Sequence, residues 1–311
     1  MALGIGAAIA ACLFWGLTFA APLLLSGFSP AEIAIGRFAA YGGFSAVLMA
    51  FAGRAAWRGP ARHWLTALAF TLAANVGYYL LLIFAIRFAG SALPTLIIGV
   101  LPVSVAVVAN LRGRELAWPL LLLSSALILG GIALVQLSGL KWRQQAGDPF
   151  WYGLGVVLAI GALALWTWFA VANAAFLRRH PEIAPGAWSS RMGLMTLPAT
   201  LLILPLLALG QDFPIATTPE GGVKPLWQFV QVSLWVGIGA TWIATWLWNR
   251  ASQALPTSLA GQLLVFETVF GLAYAFALEG RAPPPLAWGG MALLFAGVLL
   301  GIRSARRATH G

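Results

Sequence analysis

Apolar residues run through this chain in long blocks separated by short polar stretches. A block of about 20 residues is enough for a helix to cross ~30 Å of hydrocarbon. Ten such blocks predict helices over 3–25, 31–52, 64–87, 91–111, 117–139, 150–176, 184–209, 225–249, 254–277 and 286–303. The breaks carry helix-ending residues: Ser29-Pro30, Gly59-Pro60, Asp148-Pro149, Pro181, Pro219 and Pro283-Pro284-Pro285. The first block starts directly after Met1 without a basic flank and has a counterpart in mid-chain, so it is expected to be a retained helix rather than a cleaved signal. The expected fold class is all-α, a polytopic membrane protein with ten transmembrane helices.

The blocks also repeat. Arg87 followed by Ala92-Leu93-Pro94-Thr95 returns as Arg250 followed by Ala254-Leu255-Pro256-Thr257. Trp15 with Thr18-Phe19 is echoed by Trp166 with Trp168-Phe169, Arg37 by Arg191, and Glu115 by Glu279. The pairs keep their order at offsets of 151 to 164 residues. Residues 1–147 and 148–311 therefore read as two five-helix repeats. Five spans is an odd number, so the halves insert in opposite orientations, a 5+5 inverted repeat around a central cavity. Secondary transporters are built this way, with the substrate site near the midplane.

Charge refines the picture. Charged residues are only 8% of the chain and hydrophobic ones 61%, which leaves too little polar surface for a soluble domain. The net charge of +10 does not point to nucleic acid, because the eighteen Lys and Arg punctuate the breaks instead of forming one basic face. With the N-terminus inside, Arg54, Arg58, Arg62, Arg112, Arg114, Arg178, Arg179, Arg250, Arg303, Arg306 and Arg307 are cytoplasmic. Arg87, Lys141, Arg143, Lys224 and Arg281 are outside. That imbalance favours both termini in the cytoplasm. Cys12 lies alone inside the first block, and His63, His180 and His310 adjoin basic residues, so no metal site, cofactor or catalytic residue is expected.

Polar and aromatic residues at helical spacing nominate a cavity lining. Helix 3 offers Asn75, Tyr78 and Tyr79; helix 8 offers Trp242, Thr245, Trp246 and Asn249; helices 1 and 6 offer Trp15 and Trp166 with Thr18, Phe19, Phe169 and Asn173. Thr95 and Gln262 join them as substrate-binding candidates. Such a surface suits a flat apolar group through ring contacts, or a lipophilic cation through cation–π attraction. Trp248, beside Arg250, is expected at the interface.

Charges inside spans need a reason. Glu267 falls near the centre of helix 9, as a proton-coupling carboxylate or as a structural acceptor at a hinge. Arg37 and Arg191 stand one near each face, as gating residues or as arginines that snorkel or, for Arg37, pair locally with Glu32. Gly99 and Pro102 mark a hinge in helix 4. Small residues every fourth position, Ala126 and Gly130 in helix 5 and Gly297 and Gly301 in helix 10, allow close packing within the bundle or in a dimer, and the oligomeric state stays open.

Phe14-Trp15-Gly16 in helix 1, Arg37-Phe38 in helix 2, Pro102 in helix 4, Glu115 after it and Glu267 in helix 9 resemble the drug/metabolite transporter superfamily, in its ten-helix EamA-type branch. The Trp- and Tyr-rich interior is similar to that of the bacterial aromatic amino acid exporters in that superfamily. The resemblance implies a bacterial inner-membrane location and a small-molecule substrate. Thr167 departs from the family's Gly, which leaves open whether helices 1 and 6 pack alike, and Thr268 from its Pro, which leaves open whether helix 9 kinks as helix 4 does. The leading expectation is export of aromatic or other hydrophobic amino acids by alternating access. Efflux of lipophilic cations or metabolites is the alternative, and a membrane-embedded lipid-modifying enzyme a remote one, because no nucleophile–base pair or metal-ligand spacing supports it.

Overall fold

The computed structural model describes residues 1–139, 148–201, 225–280 and 282–308. Lys141, Arg143, Pro219, Lys224, Arg281, His310, the stretch 202–209 and the repeat junction before Asp148 lie outside the described residues. Every regular element described is helical. The spans are α1 (Ala2–Leu24), α2 (Pro30–Phe51), α3 (Ala61–Ala89), α4 (Ala92–Gly113), α5 (Trp118–Leu137) and α6 (Pro149–Arg179). After α7 (Pro185–Leu201) come α8 (Leu226–Ala254), α9 (Thr257–Glu279) and α10 (Pro285–Arg307). Among the described residues, all but α7 are long and apolar enough to cross a membrane.

Local sequence explains the helix ends. Ser29 accepts from the Glu32 amide while the Glu32 carboxylate accepts from the Ser29 amide, a capping box that starts α2. Asp148 accepts from the Phe150 amide, with Pro149 behind it, and starts α6. Within the spans, hydroxyls return to their own helix: Thr18 to the Trp15 carbonyl, Ser45 to Tyr41, Thr196 to Met192 and Thr200 to Thr196. Away from water, the carbonyl one turn back is the nearest acceptor for these four hydroxyls.

α5 and α10 lie against each other, and a Cβ at either Gly131 or Gly290 would come 2.7 Å from the other's carbonyl. The small residues of helices 5 and 10 thus bring those two helices together inside the bundle.

Four interruptions in matching places set the interior. α4 breaks at Val100, where Pro102 cannot donate to the preceding turn. α9 breaks at Leu264 without a proline: the Glu267 amide bonds to the Leu264 carbonyl, and the Cys12 thiol donates to the Leu263 carbonyl at 3.4 Å. So the Thr268 departure does not keep helix 9 straight. α3 and α8 each carry a π-helical segment, Leu72–Gly77 and Ile238–Ile243. A π turn widens the helix and shifts which residues face inward, which a count at 3.6 residues per turn misses.

Candidate functional site

The interior divides into a sealed zone and an accessible zone. α1 starts beside Ala254 and Leu255, and Ala305 near the other terminus adjoins Glu115, Arg178 and Pro256, so both termini lie at one end of the bundle. From mid-bundle towards that end, aromatic rings close the space. Trp15, Trp166 and Trp248 meet in a triangle with centroids 5.5 to 6.1 Å apart. The contacts continue from Trp166 to Phe169 and Phe70, then to Trp188 and Phe176, and end at His63 and His180, 4.7 Å apart. Trp248 is fully buried in this column, which corrects its expected interfacial position: its indole turns inward while neighbouring Arg250 marks the helix end.

A buried polar chain ties the column together. The Trp188 indole donates to Asn173 Oδ1 (2.8 Å), Asn173 Nδ2 to Asn249 Oδ1 (2.8 Å), and Asn249 Nδ2 to Ser189 Oγ (3.0 Å). It joins α6, α7 and α8, and Tyr41 of α2 donates to the Ser189 carbonyl at 2.9 Å. At the outermost layer, Glu115 accepts from the Ser258 amide at the start of α9. Arg178 bonds Thr257 Oγ1 (2.7 Å) and lies 3.9 Å from Glu115. Arg191 donates to the Arg58 carbonyl and packs over Trp64. In the connection to α7, the Glu182 carboxyl is drawn below its ordinary range by its own backbone amide and by the His180 ring.

The accessible zone lies towards the opposite end. Arg37 donates from Nε to Thr241 Oγ1 at 2.7 Å, with its guanidinium 5.8 Å over Phe38. Gly237 permits that contact, since a Cβ there would strike the Arg37 carbonyl at 2.7 Å and keep α8 away from α2. Glu267, Tyr78, Tyr79 and Tyr41 all stand within the field of Arg37. Glu267 occupies the first turn after the α9 break, where the amides of a new helix start favour negative charge. Tyr79 stacks edge-on against Phe38 and donates to the Pro30 carbonyl. Arg37, Tyr78, Tyr79 and Glu267 are surrounded by protein yet keep part of their surface accessible. Their polar groups are thus not closed off in a packed core, unlike those of the column.

The structure thus brings together Arg37, Tyr78, Tyr79 and Glu267. Asn75 is partly accessible, within the π segment just before the tyrosines. Trp15 and Trp166 form the floor, where the sealed column begins. Four expected lining residues stand elsewhere. Trp242 donates to Ser190 and packs on Phe44 and Trp246, in the seam of α8 with α2 and α7. The π segment turns Thr241 inward and leaves Trp242 and Trp246 one stripe away. Thr95 is exposed and donates to the Ser91 carbonyl. Gln262 is buried against Ser124 of α5 and Gly301 of α10, on the other side of the α9 break from Glu267. Gly99 packs against Ile132, one residue before the α4 break, and Pro102 follows it. Arg191 sits at the sealed end.

Tyr41, Thr241 and Trp188 are the additions that sequence reasoning missed. Tyr41 is one turn from Arg37 and shares its face, a signal that was available. Thr241 becomes visible only once the π segment is known.

No family model matches the chain. The inner membrane protein YtfF of Escherichia coli is 37% identical over 310 residues, covering 97% of this chain and 95% of that protein. The uncharacterized transporter YwfM of Bacillus subtilis is 26% identical over 93% of this chain and 90% of its own length. A crystal structure that is 19% identical superimposes with a TM-score of 0.77 over 98% of each chain, a likeness of fold. With more than a third of its residues shared along nearly its whole length, this multi-pass membrane protein belongs to the family of the inner membrane protein YtfF.

Proposed function

We propose that this chain is a secondary transporter of the inner membrane that moves aromatic or other hydrophobic amino acids by alternating access. The observation that carries the reading is that a guanidinium, a carboxyl and two tyrosines, each partly accessible, stand together at the end of the bundle away from the sealed aromatic column. A zwitterionic amino acid is complementary to it. Its carboxylate pairs with Arg37, its ammonium with Glu267, and its side chain lies against Tyr78, Tyr79 and the indoles of Trp15 and Trp166. Arg37 at the same end disfavours a lipophilic cation, which would gain from Glu267 and the rings but meet the guanidinium.

The 5+5 organisation supplies the motion in this reading. The matched breaks at Val100 and Leu264, the matched π segments, and Arg37 and Arg191 at opposite ends are what two inverted repeats, 1–147 and 148–311, produce. Both termini lie in the cytoplasm, the accessible end faces outward, and the sealed column is the closed cytoplasmic path. Small-molecule passage, not catalysis, is the assigned role.

Uptake of labelled tryptophan, phenylalanine and leucine into proteoliposomes, with and without a pH gradient, tests this. Faster aromatic uptake, with tryptamine and indole-3-propionate both failing to compete, supports zwitterion recognition. A pH response lost in Glu267→Gln adds proton coupling. Movement of a lipophilic cation without any amino acid overturns the substrate assignment.

A further inference from the structure

A cavity of about 320 Å³ lies outside the site just described, between α4 and α6 on the flank of the bundle. On α4 it is lined by Ser104, Val108 and Arg112, one residue per turn; on α6 it runs from Ile160 past Ala164 and Trp168 to Val171. The two helices run in the same direction, both heading towards the end that carries the termini. Ile160 to Val171 spans about 16 Å at ~1.5 Å per residue. One leaflet of a ~30 Å hydrocarbon core has about that depth.

The lining has an unusual polarity. Its two hydroxyls are paired, Thr167 Oγ1 donating to Ser104 Oγ at 2.7 Å while Ser104 donates to the Leu101 carbonyl. That leaves a lining that is almost wholly apolar, with the Trp168 indole N–H its one other polar group below Arg112 among the described residues, which suits an acyl chain more than a polar solute. At the terminal end stands Arg112, exposed, and among the described residues it has neither an ion pair nor a hydrogen bond. Nearby Glu115 is engaged with Arg178 and the Ser258 amide. The guanidinium is therefore free to meet a phosphate at headgroup depth.

We propose that the α4–α6 groove is a binding site for an anionic phospholipid of the leaflet facing the termini, with one acyl chain along Val108, Ala164 and Trp168 and its phosphate on Arg112. The occupant is a lipid and not a second protein copy, because an exposed arginine, the charged residue of the lining, sits at the end of an apolar groove one leaflet deep. The site lies on the break-bearing helix α4, so an occupied groove buttresses the segment below Val100 against α6.

Native mass spectrometry of the full chain, released from detergent with equal phosphatidylglycerol and phosphatidylcholine of matched chains, tests the proposal. Wild type should retain phosphatidylglycerol about fivefold better than phosphatidylcholine, the effect expected of one arginine at a membrane surface. Arg112→Gln should bring the ratio close to one, while Arg62→Gln, the same charge change away from the groove, should leave it unchanged. Ala164→Phe should reduce retention of both lipids by filling the channel, with Val108→Phe as the equivalent from the facing helix should that variant fail to fold. An unchanged ratio in Arg112→Gln overturns the headgroup assignment. Undiminished retention in the groove-filling variants overturns the location. A dimer peak that disappears on filling gives the groove to a second copy and overturns the lipid.

Discussion

The two ends of the bundle solve opposite problems with similar residues. Both are rich in aromatic rings and both carry buried polar groups. At the end with the termini, Trp188, Asn173, Asn249 and Ser189 spend their hydrogen bonds on one another, and the rings between Trp15 and His180 touch in an unbroken column. At the other end, among the described residues, Arg37 donates to Thr241, and Glu267, Tyr78 and Tyr79 stand near it with part of their surface accessible. A satisfied polar network rigidifies, whereas an incompletely satisfied one is poised to take a ligand. The difference suggests that one end is built as a closure and the other as a recognition surface.

The largest expected effect comes from unbalancing the accessible end. In the proposed binding mode Arg37 pairs with the substrate carboxylate, and a hydrogen bond to a charged group is worth about 1.5–3 kcal/mol. Arg37→Ala should therefore lower tryptophan uptake by about one to two orders of magnitude, measured in proteoliposomes with the protein still monodisperse. Near-wild-type uptake would break the comparison at its most important residue.

Weakening the closure comes next. Asn249→Leu leaves Asn173 Nδ2 and Ser189 Oγ without their buried partner, at about 1–3 kcal/mol. Thermal unfolding in detergent should shift down by several degrees, and the sealed end should open more often. A smaller effect separates two neighbouring indoles. Trp188 donates to Asn173, whereas Trp248 Nε1 has no hydrogen-bond partner. Replacing each by Phe removes similar ring area, so Trp188→Phe should cost about 1 kcal/mol more than Trp248→Phe. Equal Tm shifts would show that the polar chain adds no stability. The smallest effect is expected at Cys12→Ala, which removes one weak thiol bond to the α9 break and should leave the Tm within about a degree.

The fold was largely legible because hydrocarbon imposes length and polarity on every span, and the ten apolar blocks show it. Arg37 and Glu267 stood out because charges inside spans are rare, and Tyr78 and Tyr79 because they fall at mid-helix on one face. Trp242, Trp246, Thr95 and Gln262 illustrate the limit. Assigning them to the cavity assumes uninterrupted 3.6-residue periodicity. The π segments in α3 and α8 and the proline-free break at Leu264 alter that periodicity through backbone hydrogen bonding that composition does not announce. Trp248 shows a second limit: an aromatic beside an arginine looks the same in sequence whether it faces the interface or the core.

Side-specific thiol labelling tests alternating access most directly. In a Cys12→Ser background, Thr18→Cys reports on the accessible end and Ser189→Cys on the sealed one, each probed with a membrane-impermeant maleimide from either face. At rest, Thr18→Cys should label only from the face opposite the termini and Ser189→Cys should resist. During tryptophan turnover, Ser189→Cys should become reactive from the face carrying the termini while Thr18→Cys is protected. Labelling of both positions from one face, or no response to tryptophan at either, would contradict the account.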